Sequence, residues 1–174
     1  MDNYFELYHI PVSFRPDPVQ LKQQFYALSK QHHPDRFAAA GEDAYAEALH
    51  RSALINEAYK TLSNPDRTMA YILRLEGQLE EEEKYSLPPA FLMEMMDLNE
   101  LLSDYEDGNA SLKQQAETEL AGHLQAWDAQ VAPLMQAFEK GARDAAVLAQ
   151  LKDFYFRKKY LLRIQERLTT FASR

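Results

Sequence analysis

Apolar residues in this chain recur at helical spacing along almost its whole length. Residues 3–9 (Tyr4, Phe5, Leu7, Tyr8) predict a short helix or turn, and Pro11, Pro16 and Pro18 punctuate the next stretch. Asp17-Pro18 is a helix start, an acceptor side chain followed by proline at the first helical position. Leu21, Phe25 and Leu28 then fall at i, i+4 and i+7, one apolar stripe. Pro34 disfavours helical geometry at His33, so the first helix should end there and a loop run through Ala38–Gly41. A second helix is predicted over 43–62, with Ala48, Ser52, Ile55, Tyr59 and Leu62 on one face. Joined by a short loop, the two should pack antiparallel. Ser63-Asn64-Pro65 stops the second helix, and a short one containing Met69, Ala70, Tyr71 and Leu73 ends near Gly77.

Residues 78–89 change in character. Glu80–Glu83 is a run of acids, and Pro88-Pro89 cannot continue a helix, which places a domain boundary here. Three more helices are predicted: 90–105, 111–140 and 142–171. In the middle one Leu120, Leu124, Trp127, Val131, Leu134 and Phe138 make a coiled-coil-like seam, and Pro133 should kink or break it. Leu151, Phe154, Leu161, Leu168 and Phe171 line the last. Short connections make this an up-down-up three-helix bundle, and the chain is predicted to be all-α. The expected organisation is a first domain over 1–76, an acidic elbow over 77–89 and the bundle over 90–174.

Composition agrees. Of 174 residues, 46% are hydrophobic, enough to form a core. With no cysteine there are no disulfides or thiolate sites, which suits a reducing, cytoplasmic setting. The early acids Asp2 and Glu6 argue against a signal peptide, and no apolar run reaches the ~20 residues of a membrane span. The net charge of −8 is confined: residues 1–75 carry −1, 76–104 carry −8 and 105–174 carry +1. Such a block repels nucleic acid and anionic membrane and would attract a basic protein surface; it also fits a plain solvated face.

Two constellations carry candidate chemistry. The first is His33-Pro34-Asp35 between two helices, which as residue types could form a catalytic pair, a metal site or a protein contact. For a metal, His32, His33 and Asp35 could ligate, but adjacent histidines rarely converge on one ion without a third and fourth ligand nearby, and His50 and His123 are distant in sequence. For a contact, ionised Asp35 accepts from an arginine, and Lys22, Lys30 and Arg36 add positive charge on the same side. No Gly-rich phosphate loop and no Gly-x-Ser-x-Gly occurs. The second constellation lies in 90–105. Phe91, Met95, Leu98 and Leu102 suffice for a core stripe, leaving Leu92, Met93 and Met96 on another face, continued by Asp97, Glu100 and Asp104. An apolar patch rimmed by carboxylates and rich in adaptable methionine fits a protein partner, although Leu92 and Met96 could instead pack on the first domain.

Residues 1–75 resemble a J domain, the module that recruits DnaK-type chaperone ATPases. The matching residues are Tyr4-Phe5-Glu6-Leu7, the first helix stripe, His33-Pro34-Asp35-Arg36-Phe37, the run Ile55–Leu62, Pro65 and Arg67. With Met69–Leu73, Phe91-Leu92-Met93-Glu94 and the long helical pair, nearly the whole chain resembles the HscB family, J-protein co-chaperones of bacterial iron–sulfur cluster assembly. After Gly108 only the helical pattern matches. Some eukaryotic members add an N-terminal cysteine-rich metal module, and its lack here favours the bacterial form.

The resemblance implies a J domain followed by a C-terminal helical bundle, and a non-enzymatic adaptor with no catalytic residue, metal or cofactor. It implies an HscA-like ATPase bound through His33, Pro34, Asp35, Arg36, Lys22 and Lys30, whose ATP hydrolysis the chain stimulates. It implies an IscU-like cluster scaffold bound through Leu92, Met93, Met96, Asp97, Glu100, Asp104 and Phe156. The alternatives are a J-protein for another client and a His/Asp metal hydrolase.

Overall fold

The computed structural model describes residues 3–174; Asp2, one of the early acids of the sequence, lies outside them. Among the described residues there are eight α-helices, two 3-10 turns and no strand. The chain divides into two compact units, Met1–Leu75 and Glu76–Arg174.

The first unit holds α1 (Tyr4–Leu7), α2 (Pro18–Gln31), α3 (Glu42–Leu62) and α4 (Pro65–Leu75). A capping box opens α1: the Asn3 side chain accepts from the Glu6 N–H, and the Glu6 carboxylate accepts from the Asn3 N–H. Asp17 caps α2, accepting from the Val19 N–H at 2.9 Å ahead of Pro18. The α2 stripe meets α3 as expected, with the Phe25 ring stacked on Tyr59 at 4.4 Å and Leu21, Leu28, Ile55 and Leu62 buried. Each fully buried side chain of this size contributes ~1.5–3 kcal/mol. From the N-terminal turn, Phe5 and Tyr8 complete the core, and the Tyr4 ring stacks on Tyr71 of α4 at 4.3 Å.

The Tyr8 hydroxyl donates to the Ile55 carbonyl at 2.6 Å inside this core. Burial first, and then the neighbouring Tyr59, raises its pKa above the ordinary value of 10.0. A raised folded-state pKa means the folded protein holds the proton more tightly than the unfolded chain. The contribution is therefore intact below pH 10 and is lost as pH climbs beyond it. Tyr8→Phe should cost about 1 kcal/mol at neutral pH, read by urea unfolding, and should flatten the loss of stability above pH 10.

The second unit holds α5 (Pro89–Glu94), α6 (Met96–Glu106), α7 (Lys113–Glu139) and α8 (Ala145–Ala172). The helix expected over 90–105 is two pieces meeting at Met95, whose N–H bonds to the carbonyls of Phe91 and Met93 in a tightened turn. The Met95 carbonyl accepts from both the backbone and the side chain of Asn99, so the chain turns without leaving that group unsatisfied. Pro133 does not break α7. It faces solvent, where water can satisfy the carbonyl its missing N–H leaves free. The seam also differs from expectation. Trp127, Val131, Met135 and Phe138 are buried, whereas Leu124 and Leu134 are only half-buried. Trp127 donates from its indole N–H to the Phe154 carbonyl on α8 at 2.7 Å. Asp144 caps α8, accepting from the N–H groups of Ala146 and Val147.

Residues 77–89, expected as an elbow, are fastened to α8. Lys152 pairs with Glu83 at 3.0 Å, and the Tyr85 hydroxyl donates to Asp153 at 2.8 Å. Burial, then the bond to Asp153, pushes the Tyr85 pKa up to about 12.

Candidate functional site

The corner at residues 32–37 is built from the end of α2. His32 caps that helix, its N–H bonded to the Leu28 carbonyl. His33 is extended (φ −63°, ψ 130°), as a residue before proline should be, and Pro34 opens a 3-10 turn, Pro34–Phe37. His33 Nδ1 accepts from the Asp35 N–H at 3.2 Å and lies 3.6 Å from the Asp35 carboxylate. An accepting Nδ1 assigns the proton of the neutral ring to Nε2. The side chains of His33 and Asp35 are 56% and 89% exposed. The corner therefore offers solvent one ring N–H donor and one carboxylate, with the backbone between them fixed by proline.

Arg36 ties this turn to α2, donating from Nη1 to the Lys30 carbonyl at 3.2 Å. It thereby satisfies a carbonyl of the last helical turn and brings Arg36 beside Lys30. Lys22 lies two turns further back, exposed like Lys30. Between them stands Tyr26, exposed, with the Lys22 ammonium 5.9 Å from its ring centre. The sequence pattern did not single out Tyr26 or the exposed Val19. The signal was available: both are large apolar residues off the 21/25/28 stripe, seven apart and so on one face. Burial, and then Arg51, lower the His32 pKa, so this second imidazole adds no positive charge to the corner at neutral pH. Among the described residues no three His, Cys, Asp or Glu side chains group to hold a metal ion. A donor and an ionised acceptor on a rigid turn flanked by cations suit recognition of a polar, acidic partner surface that presents an arginine.

The second constellation lies on α5 and α6. Phe91, Met95, Leu98 and Leu102 are buried, as the core stripe requires. Leu92 is 41% exposed, Met93 69% and Met96 63%. Asp97, Glu100 and Asp104 continue along α6, all exposed and, among the described residues, in no ion pair. Phe156 of α8 is half-buried, stacked on Tyr85 at 4.4 Å and edge-on to Tyr155. It stands one turn before Tyr160, which accepts from Asn99 of α6 at 2.7 Å and meets the Phe91 ring edge-on. The structure thus puts Leu92, Met93 and Met96 in solvent, whereas one face of Phe156 is already covered.

Residues 3–71 match the DnaJ domain family, and residues 87–169 match the family described as the HSCB C-terminal oligomerisation domain. A co-chaperone protein HscB homolog of Vibrio cholerae serotype O1 is 45% identical over 101 residues, covering 58% of this chain and 59% of that protein. A homolog of the same name from Burkholderia thailandensis is 39% identical over 104 residues, covering 59% of each. The chain thus spans about three fifths of the length of the curated relatives it matches. Among solved structures, the crystal structure of human co-chaperone protein HscB superimposes with TM-score 0.79 at 25% identity, covering 98% of this chain and 82% of that one. Chaperone HscB from Vibrio cholerae superimposes with TM-score 0.64 at 32% identity, covering 96% and 99%. A J-domain unit with an open His-Pro-Asp corner, followed by an HscB-type helical unit, defines the class: a J-domain protein with a helical C-terminal domain. This chain belongs to the HscB family.

Proposed function

We propose that this protein is a non-enzymatic co-chaperone of the cytoplasm that presents an iron–sulfur cluster scaffold to a DnaK-type chaperone ATPase. In this reading the J domain is residues 1–76, and the bundle over 90–174, with its acidic elbow at 77–89, carries the client. His33, Pro34 and Asp35 engage an HscA-like ATPase, with Lys22, Lys30 and Arg36 steering its acidic surface. Leu92, Met93 and Met96 anchor an IscU-like scaffold, Asp97, Glu100 and Asp104 meet basic groups at its rim, and Phe156 contributes from α8. One chain that holds client and ATPase together raises their effective concentration, typically to ~mM for a short connection.

The observation that carries the reading is the open corner, a fixed imidazole and an exposed carboxylate in a chain of this family. Its test is ATP turnover by an HscA-like chaperone. Turnover should rise when this protein is added, and rise further when scaffold is added with it. No rise overturns the reading. A rise with this protein that scaffold does not increase, together with no scaffold complex, points to a J-protein for another client. Stoichiometric metal in the purified protein together with hydrolytic activity points to a His/Asp metal hydrolase.

A further inference from the structure

The chain has no cysteine and six methionines, three of them within four residues. Those three have different environments. Met93 and Met96 are exposed, while Met95 between them is 1% exposed on the core stripe with Phe91, Leu98 and Leu102. Met69 and Met135 are also buried, and Met1 lies outside the described residues. The thioethers that solvent reaches among the described residues are therefore confined to one patch, and no thiol in the chain competes for oxidant.

We propose that Met93 and Met96 are a reversible oxidation site for hydrogen peroxide, and that their oxidation switches off docking on α5 and α6. The proposal rests on the client reading of that patch. In the chemical step the sulfur lone pair attacks one peroxide oxygen. An S–O bond forms and the O–O bond breaks, and the departing hydroxide takes the remaining proton and leaves as water. Methionine is oxidised by two electrons and peroxide is reduced. In the reverse step a sulfoxide reductase returns the oxygen to water while two thiols become a disulfide. The sulfoxide replaces a flexible apolar side chain with a polar, chiral one. Its oxygen must be desolvated when an apolar partner closes over it, which weakens association roughly tenfold or more. Exposure gives selectivity: the same oxidant cannot reach Met95 unless the turn opens.

The experiment treats the full chain with hydrogen peroxide and maps oxygen uptake by fragmentation mass spectrometry. Binding of an IscU-like scaffold is then measured before treatment, after it, and after incubation with both methionine sulfoxide reductases and dithiothreitol. Oxygen should add at Met93 and Met96 and not at Met69, Met95 or Met135, with circular dichroism unchanged. Scaffold affinity should fall at least tenfold and return on reduction. For the double variant M93L/M96L the ratio of treated to untreated affinity should be one, whatever its starting affinity. Met1 is retained in that variant, so a loss arising elsewhere appears there as well.

Uptake at buried methionines instead, full affinity after oxidation, or an equal loss in the double variant each overturns the proposal. Untreated protein that binds no scaffold overturns the client reading and the docking half of this proposal. The oxygen map then still decides, independently of binding, whether the oxidation site exists.

Discussion

His33→Gln should all but remove stimulation of the proposed partner ATPase at concentrations near the unaltered protein's half-maximum, while scaffold binding is retained. The side chain is 56% exposed, so the substitution opens no cavity, and folding stability should move by no more than about 0.5 kcal/mol. Glutamine also has an oxygen that can accept from the Asp35 N–H, the bond His33 Nδ1 makes at 3.2 Å, so the turn can persist. What disappears is the outward ring N–H in its fixed plane. If that group is an anchor of the interface, its loss costs about 2 kcal/mol or more, roughly thirtyfold in affinity. The measurement is ATP turnover against co-chaperone concentration, with a urea unfolding curve on the same preparation. Unaltered stimulation by the variant would remove the corner from the ATPase interface.

Replacing Leu92, Met93 and Met96 together by alanine should have the opposite effect. Scaffold affinity should fall by roughly a hundredfold or more, since truncating apolar anchors at the centre of an interface costs ~1–2 kcal/mol each. ATPase stimulation by the variant without scaffold should be unchanged. Because all three side chains stand in solvent, the unfolding midpoint should barely shift. The contrasting substitution is Met95→Ala, one position away and buried, which should cost about 2–5 kcal/mol of stability. Isothermal titration and urea unfolding on both variants separate the two roles. If the triple variant unfolds, these residues are core and the client patch lies elsewhere.

The elements bounded by strong local signals were legible in the sequence. Asp17-Pro18, the His-Pro step and Ser63-Asn64-Pro65 each fix a helix end through local backbone chemistry, and the structure follows them within a residue or two. The core stripe of α5 and α6 was readable from four apolar positions at helical spacing, whereas the sequence left open whether Leu92 and Met96 face solvent or pack on the first domain. Three features of the second unit were not readable. The turn at Met95 has a second bond to its carbonyl from the Asn99 side chain, and asparagine there reads equally well as a plain helix residue. Pro133 survives in α7 because its position faces water, a consequence of tertiary packing rather than of proline itself. In the seam of α7 the buried position is Met135 rather than Leu134, a choice that spacing alone does not make, because both neighbours fall beside the same apolar stripe. At the corner, the exposure of His33 and Asp35 results from where α2 stops, but the Arg36 bridge to the Lys30 carbonyl is a long-side-chain contact that residue spacing does not encode.

The cap from His33 to the Asp35 amide, together with the proline ring, settles the loop's shape before any other molecule arrives. Little entropy then has to be surrendered on contact, so complex formation should be governed by how often the surfaces collide in register rather than by rearrangement afterwards. Such an encounter is quick to form and, because so few groups hold it, quick to dissolve. On the function proposed above, that behaviour suits a co-chaperone that delivers its client and then leaves.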